Sequence, residues 1–286
     1  MLINKTILND NQGNALRVSK VQQMDCDIKF RGFSAKYVIS GEETYRVNNK
    51  KFVLHNNEFV VGNNTTESTI LIDSKIPAKG LCIDISEKII KEVIAYNQIE
   101  NNLFEDFLFT EKLFVTKYNV HNSILGKKLH QIATHFNGLM VDEKQLNQEI
   151  FYSVAESVVA DQSQLHRDFI KLNAIKTETN HRLFQLVWDA KQFIGNHFLE
   201  NVNIETIAKS IGLSEYHFIR LFKKAFANTP YQYIISRRLE FSKMLLLDNH
   251  SIQETAFLSG FADVFSFSKS FKNAFGMSPN GFKKEN

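Results

Sequence analysis

Tyr216, His217, Ile219, Arg220, Lys223 and Lys224 fall within nine residues of one another, and Val264, Phe265, Ser268, Lys269 and Lys272 within another nine. Each set mixes apolar or planar groups with cations at spacings of three and four, which place side chains on one face of a helix. Lysine and arginine grip phosphates, a guanidinium pairs with a guanine edge, and apolar groups meet thymine methyls. The chemistry these residues offer is non-covalent recognition of a polyanion with readable edges. Catalytic patterns are absent by comparison. His121, His130 and His135 stand nine and five apart, which does not bring them to one helix face with a carboxylate. There is no HExxH, no phosphate loop and no GxSxG. His55 lacks paired histidines. Glu42 and Glu43 are adjacent, so in a strand they point to opposite faces and form no acid–base couple; after Gly41 they are expected in a solvated turn. The sequence thus indicates no enzyme, no metal and no cofactor.

The elements that must position these residues form a repeat. Ala208 and Gly212 recur as Ala256 and Gly260 at an offset of 48, and Phe222, Lys223, Phe226 and Pro230 recur as Phe271, Lys272, Phe275 and Pro279 at 49. Each copy reads as two short helices around a tight turn, over 202–226 and 251–275. In the first, Ile204, Ile207, Ala208 and Ile211 give the supporting helix a buried face. Gly212 suits the left-handed turn and Ser214 the following N-cap. Phe218, Leu221, Phe222 and Phe226 face inward, leaving the basic set outward. In the second, Ile252, Thr255 and Ala256 support, Gly260 turns, Asp263 caps, and Phe267, Phe271 and Phe275 form the core. Residues 230–247 read as a helix between the copies, with Pro230 at its first turn and an apolar stripe of Ile234, Ile235, Leu239, Ser242, Leu245 and Leu246. It is roughly 27 Å long at 1.5 Å per residue; successive major grooves on one DNA face lie about 34 Å apart. Arg237 and Arg238 are placed to meet phosphates or to pair with acids such as Glu240.

The repeat resembles the AraC/XylS family of bacterial transcription regulators. The marks are Ile207-Ala208 followed by Gly212-Leu213-Ser214, the run Arg220-Leu221-Phe222-Lys223-Lys224, and Arg237-Arg238-Leu239. Gly260-Phe261 with Asp263, Phe267, Phe271-Lys272, Phe275-Gly276 and Ser278-Pro279 is the most diagnostic. The resemblance covers 183–283. It implies two DNA-binding helix-turn-helix units joined by a linker helix, with activation the commoner mode, promoter DNA and RNA polymerase as partners, and a cytoplasmic location. By motif position it implies base reading by Tyr216, Ile219 and Arg220 in the first unit and by Val264, Phe265, Ser268 and Lys269 in the second. Lys223 and Lys272 would hold phosphates. His217 flanks this face, and Ser214 and Lys224 complete the set. Lys269 stands where arginine is common, and Phe265 where a polar residue is usual. With Val264 and Ile219 they make the reading surfaces partly apolar, favouring thymine methyls.

Upstream, residues 1 to about 85 alternate as strands between turn formers, for example Lys36-Tyr37-Val38-Ile39 and Thr44-Tyr45-Arg46-Val47. An antiparallel barrel of this size has room for a small ligand; Tyr37, Tyr45, Arg31 and Arg46 are candidates to line it. Helical spacing follows over 86–94, over 122–140 (Ile124, Leu125, Leu129, Ile132, Ala133, Phe136) and over 143–170, where the stripe serves either the barrel or dimerisation. The start resembles, loosely, the cupin-like sensor of the same family. The fold class expected is α+β: a cupin-like β-barrel with flanking helices, then an all-α double helix-turn-helix domain. The boundaries expected are 1–170, a polar linker over 171–182, and 183–286.

Composition agrees with this division. The net charge is +3 overall, yet residues 181–286 carry 13 Lys and Arg against 9 Asp and Glu. Two cysteines without a CxxC argue against a disulfide framework, and neither a signal segment nor a membrane span is evident. The function expected is sequence-specific transcription regulation, with the first domain sensing a small molecule, pairing two chains, or both. The alternatives are a regulator whose barrel only dimerises, and a cupin-type enzyme fused to a DNA-binding module.

Overall fold

The computed structural model describes residues 2–47, 50–99, 102–134, 148–172 and 177–285. The chain divides into two compact units, Met1–Arg167 and Asp168–Asn286.

The first unit is an antiparallel sheet with helices. Its strands are β1 (Leu2–Asn9), β2 (Ala15–Lys29), β3 (Phe33–Ser40), β4 (Glu43–Val47), β5 (Lys50–Leu54), β6 (Glu58–Asn63), β7 (Glu67–Ile85) and β8 (Lys117–Asn119). Pairing runs β1-β2-β7-β3-β6-β8, with the β4–β5 hairpin also attached to β7. β7 is the spine. It pairs with β2 over nearly its whole length, with β3 through its C-terminal half and with β4 through its N-terminal half. A register shift between Val21 and Gln23 marks where the β2–β7 pair bends. Both arms then cover one core, which includes Val21, Val38, Tyr45, Leu54, Val60 and Ile72.

The helices of this unit are α1 (Glu87–Tyr96), α2 (Asn102–Phe109), α3 (Ile124–Thr134) and α4 (Glu149–Lys171). α1 starts at the Ser86 cap and buries Ile89, Ile90, Val93 and Ile94, the stripe its spacing indicates. Two elements go beyond the sequence reading. β8 lies between α2 and α3 and joins β6, with Tyr118 stacked on Phe59 at 5.1 Å. α2 is too short for its period to show, and buries Phe104, Phe107 and Leu108. On α3, Ile124 is exposed rather than part of the buried stripe. Its backbone N–H and that of Leu125 are held by the Asp161 carboxylate at 3.0 and 2.8 Å, so Ile124 opens the helix. His135, Phe136 and Leu146 lie outside the described residues.

The second unit is helical: α5 (Thr177–His197), α6 (Ile204–Ser210), α7 (Glu215–Phe226), α8 (Pro230–Leu247), α9 (Ile252–Leu258), α10 (Val264–Phe275) and α11 (Pro279–Glu285). α5 begins inside the stretch expected as linker. Thr and Asn disfavour a helix only weakly, and tertiary contacts outweigh them. The Asn180 side chain donates to the Phe169 carbonyl at 3.2 Å, and the His181 ring lies 4.6 Å from that of Phe169. α8 has the expected span, opened by a Thr229–Gln232 capping box with Pro230 in its first turn. Each helix-turn-helix core is a run of phenylalanines packed edge to face. Phe218, Phe222 and Phe226 succeed one another at 5.6 and 4.8 Å, and Phe267, Phe271 and Phe275 at 5.6 and 4.6 Å. Phe282 of α11 adds to the second run, 5.6 Å from Phe271.

The two copies end alike at a left-handed residue whose N–H returns to the helix. It is Ala227 (φ 62°) bonding Lys223 O in the first and Gly276 (φ 77°) bonding Lys272 O in the second. A Cβ in this region costs roughly 1–2 kcal/mol. Ala227→Gly is therefore expected to stabilise the protein by about 0.5–1 kcal/mol after the loss of unfolded-state restriction, and Gly276→Ala to destabilise it by about 1 kcal/mol. Urea unfolding followed by far-ultraviolet circular dichroism measures both; equal midpoints for all three proteins would contradict the argument.

Candidate nucleic-acid interface

The helices α7 and α10 present matched faces. The buried residues of α7 are Phe218, Leu221, Phe222 and Ala225; those of α10 are Phe267 and Phe271. On the opposite side, Tyr216, Arg220 and Lys223 are exposed, as are Phe265, Lys269 and Lys272. These triplets stand at equal repeat positions, 49 apart, and each follows the i, i+4, i+7 spacing of one helix stripe. Tyr216 is 75% exposed and Phe265 78%. An aromatic ring this open at a helix start has no core to serve.

The caps aim each helix. Ser214 Oγ accepts from His217 N at 3.3 Å. Asp263 accepts from Ser266 N at 2.7 Å and from Ser266 Oγ at 2.8 Å. The Ser266 backbone bond holds the Asp263 carboxyl below its ordinary range. These bonds give Ser214 a structural task. His217 is exposed beside the stripe, and Ile219 and Ser268 are half-buried at equivalent positions.

Two residues of the expected set are directed elsewhere. The Val264 side chain is drawn into the second core, because the first residue of α10 lies against the cluster of Leu239, Phe261 and Phe267. The Lys224 ammonium donates to the carbonyl of Leu172, just beyond the end of α4.

Arg238, expected to meet phosphates or an acid such as Glu240, is engaged by backbone carbonyls. Arg237 lies over the Phe198 ring at 5.4 Å, and Glu240 pairs with Lys243. Arg238 brackets three backbone carbonyls: Nε donates to Phe198 O at 2.7 Å, Nη1 to Gly260 O at 2.6 Å and Nη2 to Glu200 O at 3.0 Å. Gly260 (φ 83°) is required twice over, since a Cβ there would lie 2.9 Å from Arg238 Nε. Lys191 is a further anchor. Its ammonium lies over the rings of Phe226, Trp188 and Tyr233 at 4.1, 5.2 and 5.8 Å. Burial pushes this ammonium below its ordinary pKa, while Asp168 draws it back up.

The first unit holds a cavity of about 490 Å³, lined by Arg17, Arg31, Lys36, Glu43, Tyr45 and Cys82 together with apolar side chains of the core. Of the expected lining, Tyr45 and Arg31 belong to it. Tyr37 turns away and donates to Asn57 Oδ1 at 3.1 Å. Arg46 lines an adjoining pocket that shares Asp27, Ile28, Lys29 and Arg31 with this cavity. Glu43 corrects the sequence reading, which placed it in a solvated turn. It is buried as the first residue of β4 and accepts from Tyr45 OH at 2.5 Å. Burial raises its carboxyl above the ordinary range, against the pull of Tyr45 and Lys36. Tyr45 two residues on, hence on the same strand face, was the available signal. His55 lies 3.4 Å from Glu42. The His121 and His130 rings lie 6.2 Å apart, and His130 Nδ1 meets Tyr37 OH at 3.1 Å.

Fold and face together define a double helix-turn-helix module. The family description "Helix-turn-helix domain" matches residues 207–285. The chain is 35% identical over 86 residues to the probable transcription factor PqrA of Proteus vulgaris, covering 30% of this chain and 70% of that protein. It is 34% identical over 109 residues to the Msm operon regulatory protein of Streptococcus mutans, covering 38% of this chain but only 39% of that protein. A crystal structure of ToxT from Vibrio cholerae is similar over 96% of both chains, at 14% identity and a TM-score of 0.39. The chain belongs to the AraC/XylS family of helix-turn-helix transcription regulators.

Arg238 gives a test of the module's construction. Removing it leaves carbonyls of two turns unpaired, and each buried unsatisfied group costs about 1–3 kcal/mol. Arg238→Met is expected to destabilise the protein by about 1–3 kcal/mol, since water reaches part of the freed carbonyl set. Arg238→Lys should recover only part of this, because an ammonium cannot span the three acceptors as the planar fork does. Unfolding midpoints decide; a lysine variant as stable as the unsubstituted chain would show that the bracket is dispensable.

Proposed function

We propose that this protein is a sequence-specific, DNA-binding transcription regulator, acting chiefly as an activator. The observation that carries the reading is the repeated stripe of one exposed aromatic and two cations, Tyr216–Arg220–Lys223 and Phe265–Lys269–Lys272. Each recognition helix enters a major groove, with the support of α6 or α9 fixing its angle. Arg220 and Lys269 meet base edges; Lys223 and Lys272 meet phosphates. Phe265, with Ile219 and the Tyr216 ring, contacts thymine methyls. The two faces differ, so the two units read different half-sites of one asymmetric site. The first unit senses a small molecule in its cavity, pairs two chains through its helices, or both. RNA polymerase is the partner at the promoter. The relatives PqrA and the Msm protein are named as regulators rather than enzymes. No helix among the described residues is long and apolar enough to cross a membrane, in keeping with action on DNA in the cytoplasm.

Selection of bound sequences by the full-length chain, followed by titrations at several salt concentrations, tests the reading. Lys223→Ala should weaken all sequences alike and reduce the salt slope by about 1. Arg220→Ala should cost about 1–3 kcal/mol on the selected site and relax its base preference. Lys224→Ala should leave the salt slope unchanged, since its ammonium is engaged with Leu172 O. Affinity insensitive to salt, or selected sites without base preference, would overturn the proposal.

A further inference from the structure

One rung of the first unit's sheet holds three reactive or cationic side chains side by side. In β7, Cys82 stands opposite Arg17 of β2 and opposite Lys36 of β3. The register therefore brings all three to the same face, and all three line the 490 Å³ cavity. Lys36 Nζ lies 2.7 Å from Cys82 Sγ, and Arg17 Nη1 lies 3.8 Å away. Asp84, two residues along β7, accepts from Arg17, from the Ser34 hydroxyl and, at 3.6 Å, from the Cys82 thiol, and stands 3.9 Å from Lys36 Nζ. The Lys36 ammonium also sits 5.3 Å from the Phe30 ring centre.

The Nζ–Sγ separation is the notable quantity. Neutral or charged N–H donors approach a large sulfur atom less closely than an oxygen, yet this contact is as short as the shortest N–H···O bonds, about 2.7 Å. Two rigid, adjacent strands hold the pair, and no backbone motion is needed for nitrogen and sulfur to bond. Cys82 is half-buried and lines the cavity, whose volume is ample for a peroxide. Burial pushes the Cys82 thiol up, with Lys36 pulling it down, so selectivity here comes from access and from the neighbouring amine rather than from a freely exposed thiolate.

We propose that Cys82 and Lys36 are a peroxide-dependent modification site, forming a reversible sulfur–nitrogen crosslink between β7 and β3. In the first step the thiol sulfur attacks hydrogen peroxide. An S–O bond forms, the O–O bond breaks, and one water leaves, giving the sulfenic acid. Lys36, having released its ammonium proton to solvent, then attacks the sulfur. The S–N bond forms, the S–O bond breaks, and hydroxide departs as water with a proton from nitrogen. Thiol, amine and one peroxide thus yield the sulfenamide and two waters; sulfur is oxidised and peroxide reduced. A thiol reductant returns both side chains. The link removes the Lys36 cation from the cavity wall and covalently joins two strands that flank it. The site stands independently of whether the protein binds DNA.

The experiment uses the full-length chain carrying Cys26→Ser, which removes the other, exposed thiol and with it any disulfide within one chain; a disulfide between chains would double the intact mass. After limiting hydrogen peroxide, intact mass is expected to fall by two hydrogens. Peptide mapping is expected to show one linked pair, joining the segment with Lys36 to the segment with Cys82, and dithiothreitol should restore the starting mass. Lys36→Gln should instead accumulate oxygen adducts on Cys82. Oxygen adducts on Cys82 with a free Lys36 amine in the lysine-bearing chain, a link from Cys82 to another amine, or an unmodified Cys82 would each overturn the proposal. The mapping is done on folded, lysine-bearing protein, so a poorly folding variant does not decide the outcome.

Discussion

The helical unit depends on cations satisfying carbonyls of the turns that follow its helices. Backbone N–H groups close several of the last helical turns, as His250 N does on Leu245 O and Phe261 N on Ala256 O, but the carbonyls of the turns themselves need partners from elsewhere. Arg238 serves the end of α5 through Phe198 O and Glu200 O, and the turn after α9 through Gly260 O. Lys283 serves the end of α8, donating to Asn249 O and His250 O at 2.9 Å each. Lys224 serves the end of α4 through Leu172 O. In each case a positive charge comes from elsewhere in the chain to a helix C-terminus, where the macrodipole also favours it. Arg238 matters most because it belongs to the linker helix: one planar group fixes the second helix-turn-helix turn against the end of α5, whose Phe184 packs on Phe226 of the first unit at 6.1 Å.

With the frame fixed in this way, the two copies are free to differ on their outer faces. The inner aromatic framework matches in type: Phe218 with Phe267, Phe222 with Phe271, and Phe226 with Phe275, with Ala208 and Ala256 at the helix contact; elsewhere the cores differ, Ile207 answering to Thr255 and Leu221 to Ser270. Outside, Tyr216 answers to Phe265, Arg220 to Lys269 and Ile219 to Ser268. The first set has a phenol and a bidentate fork; the second has a bare ring and a point charge. Packing holds the three phenylalanines constant in type, because a one-methylene change in a set of close-packed rings is felt throughout it. No such constraint acts on the outer set, and that is where specificity has room to diverge between the units.

What the sequence revealed divides along the same line. Ser214, Asp263, Gly212, Gly260 and Pro230 were legible because each acts within a few residues of itself, through a cap, a turn or a fixed φ. The inward phenylalanines were legible from their period. Arg238, Lys224 and Glu43 were not. Arg238 reaches partners 40, 38 and 22 residues away and Lys224 one 52 away, and nothing in the local pattern distinguishes such a cation from a solvated one. Glu43 was misplaced because its neighbour Glu42 is exposed, and only the strand alternation separates the two. β8 and α2 were missed for a related reason: three and eight residues are too few to display a period.

These commitments change the meaning of the basic excess in residues 181–286. Taken as a sum, it suggests a diffuse positive field. Yet Arg238, Lys283 and Lys224 are bound to carbonyls, Lys191 to aromatic rings, Arg237 to Phe198, and Lys209 and Lys243 to Glu205 and Glu240. Arg220, Lys223, Lys269 and Lys272 remain exposed on the recognition helices, two in each unit at matched positions. Net charge therefore overstates the polyanion-binding surface, and position in the repeat identifies it. A cation committed to a helix end is costly to withdraw, because its carbonyl would be left unpaired; a cation on the open stripe loses only water. The division of labour among like charges follows from that difference in cost.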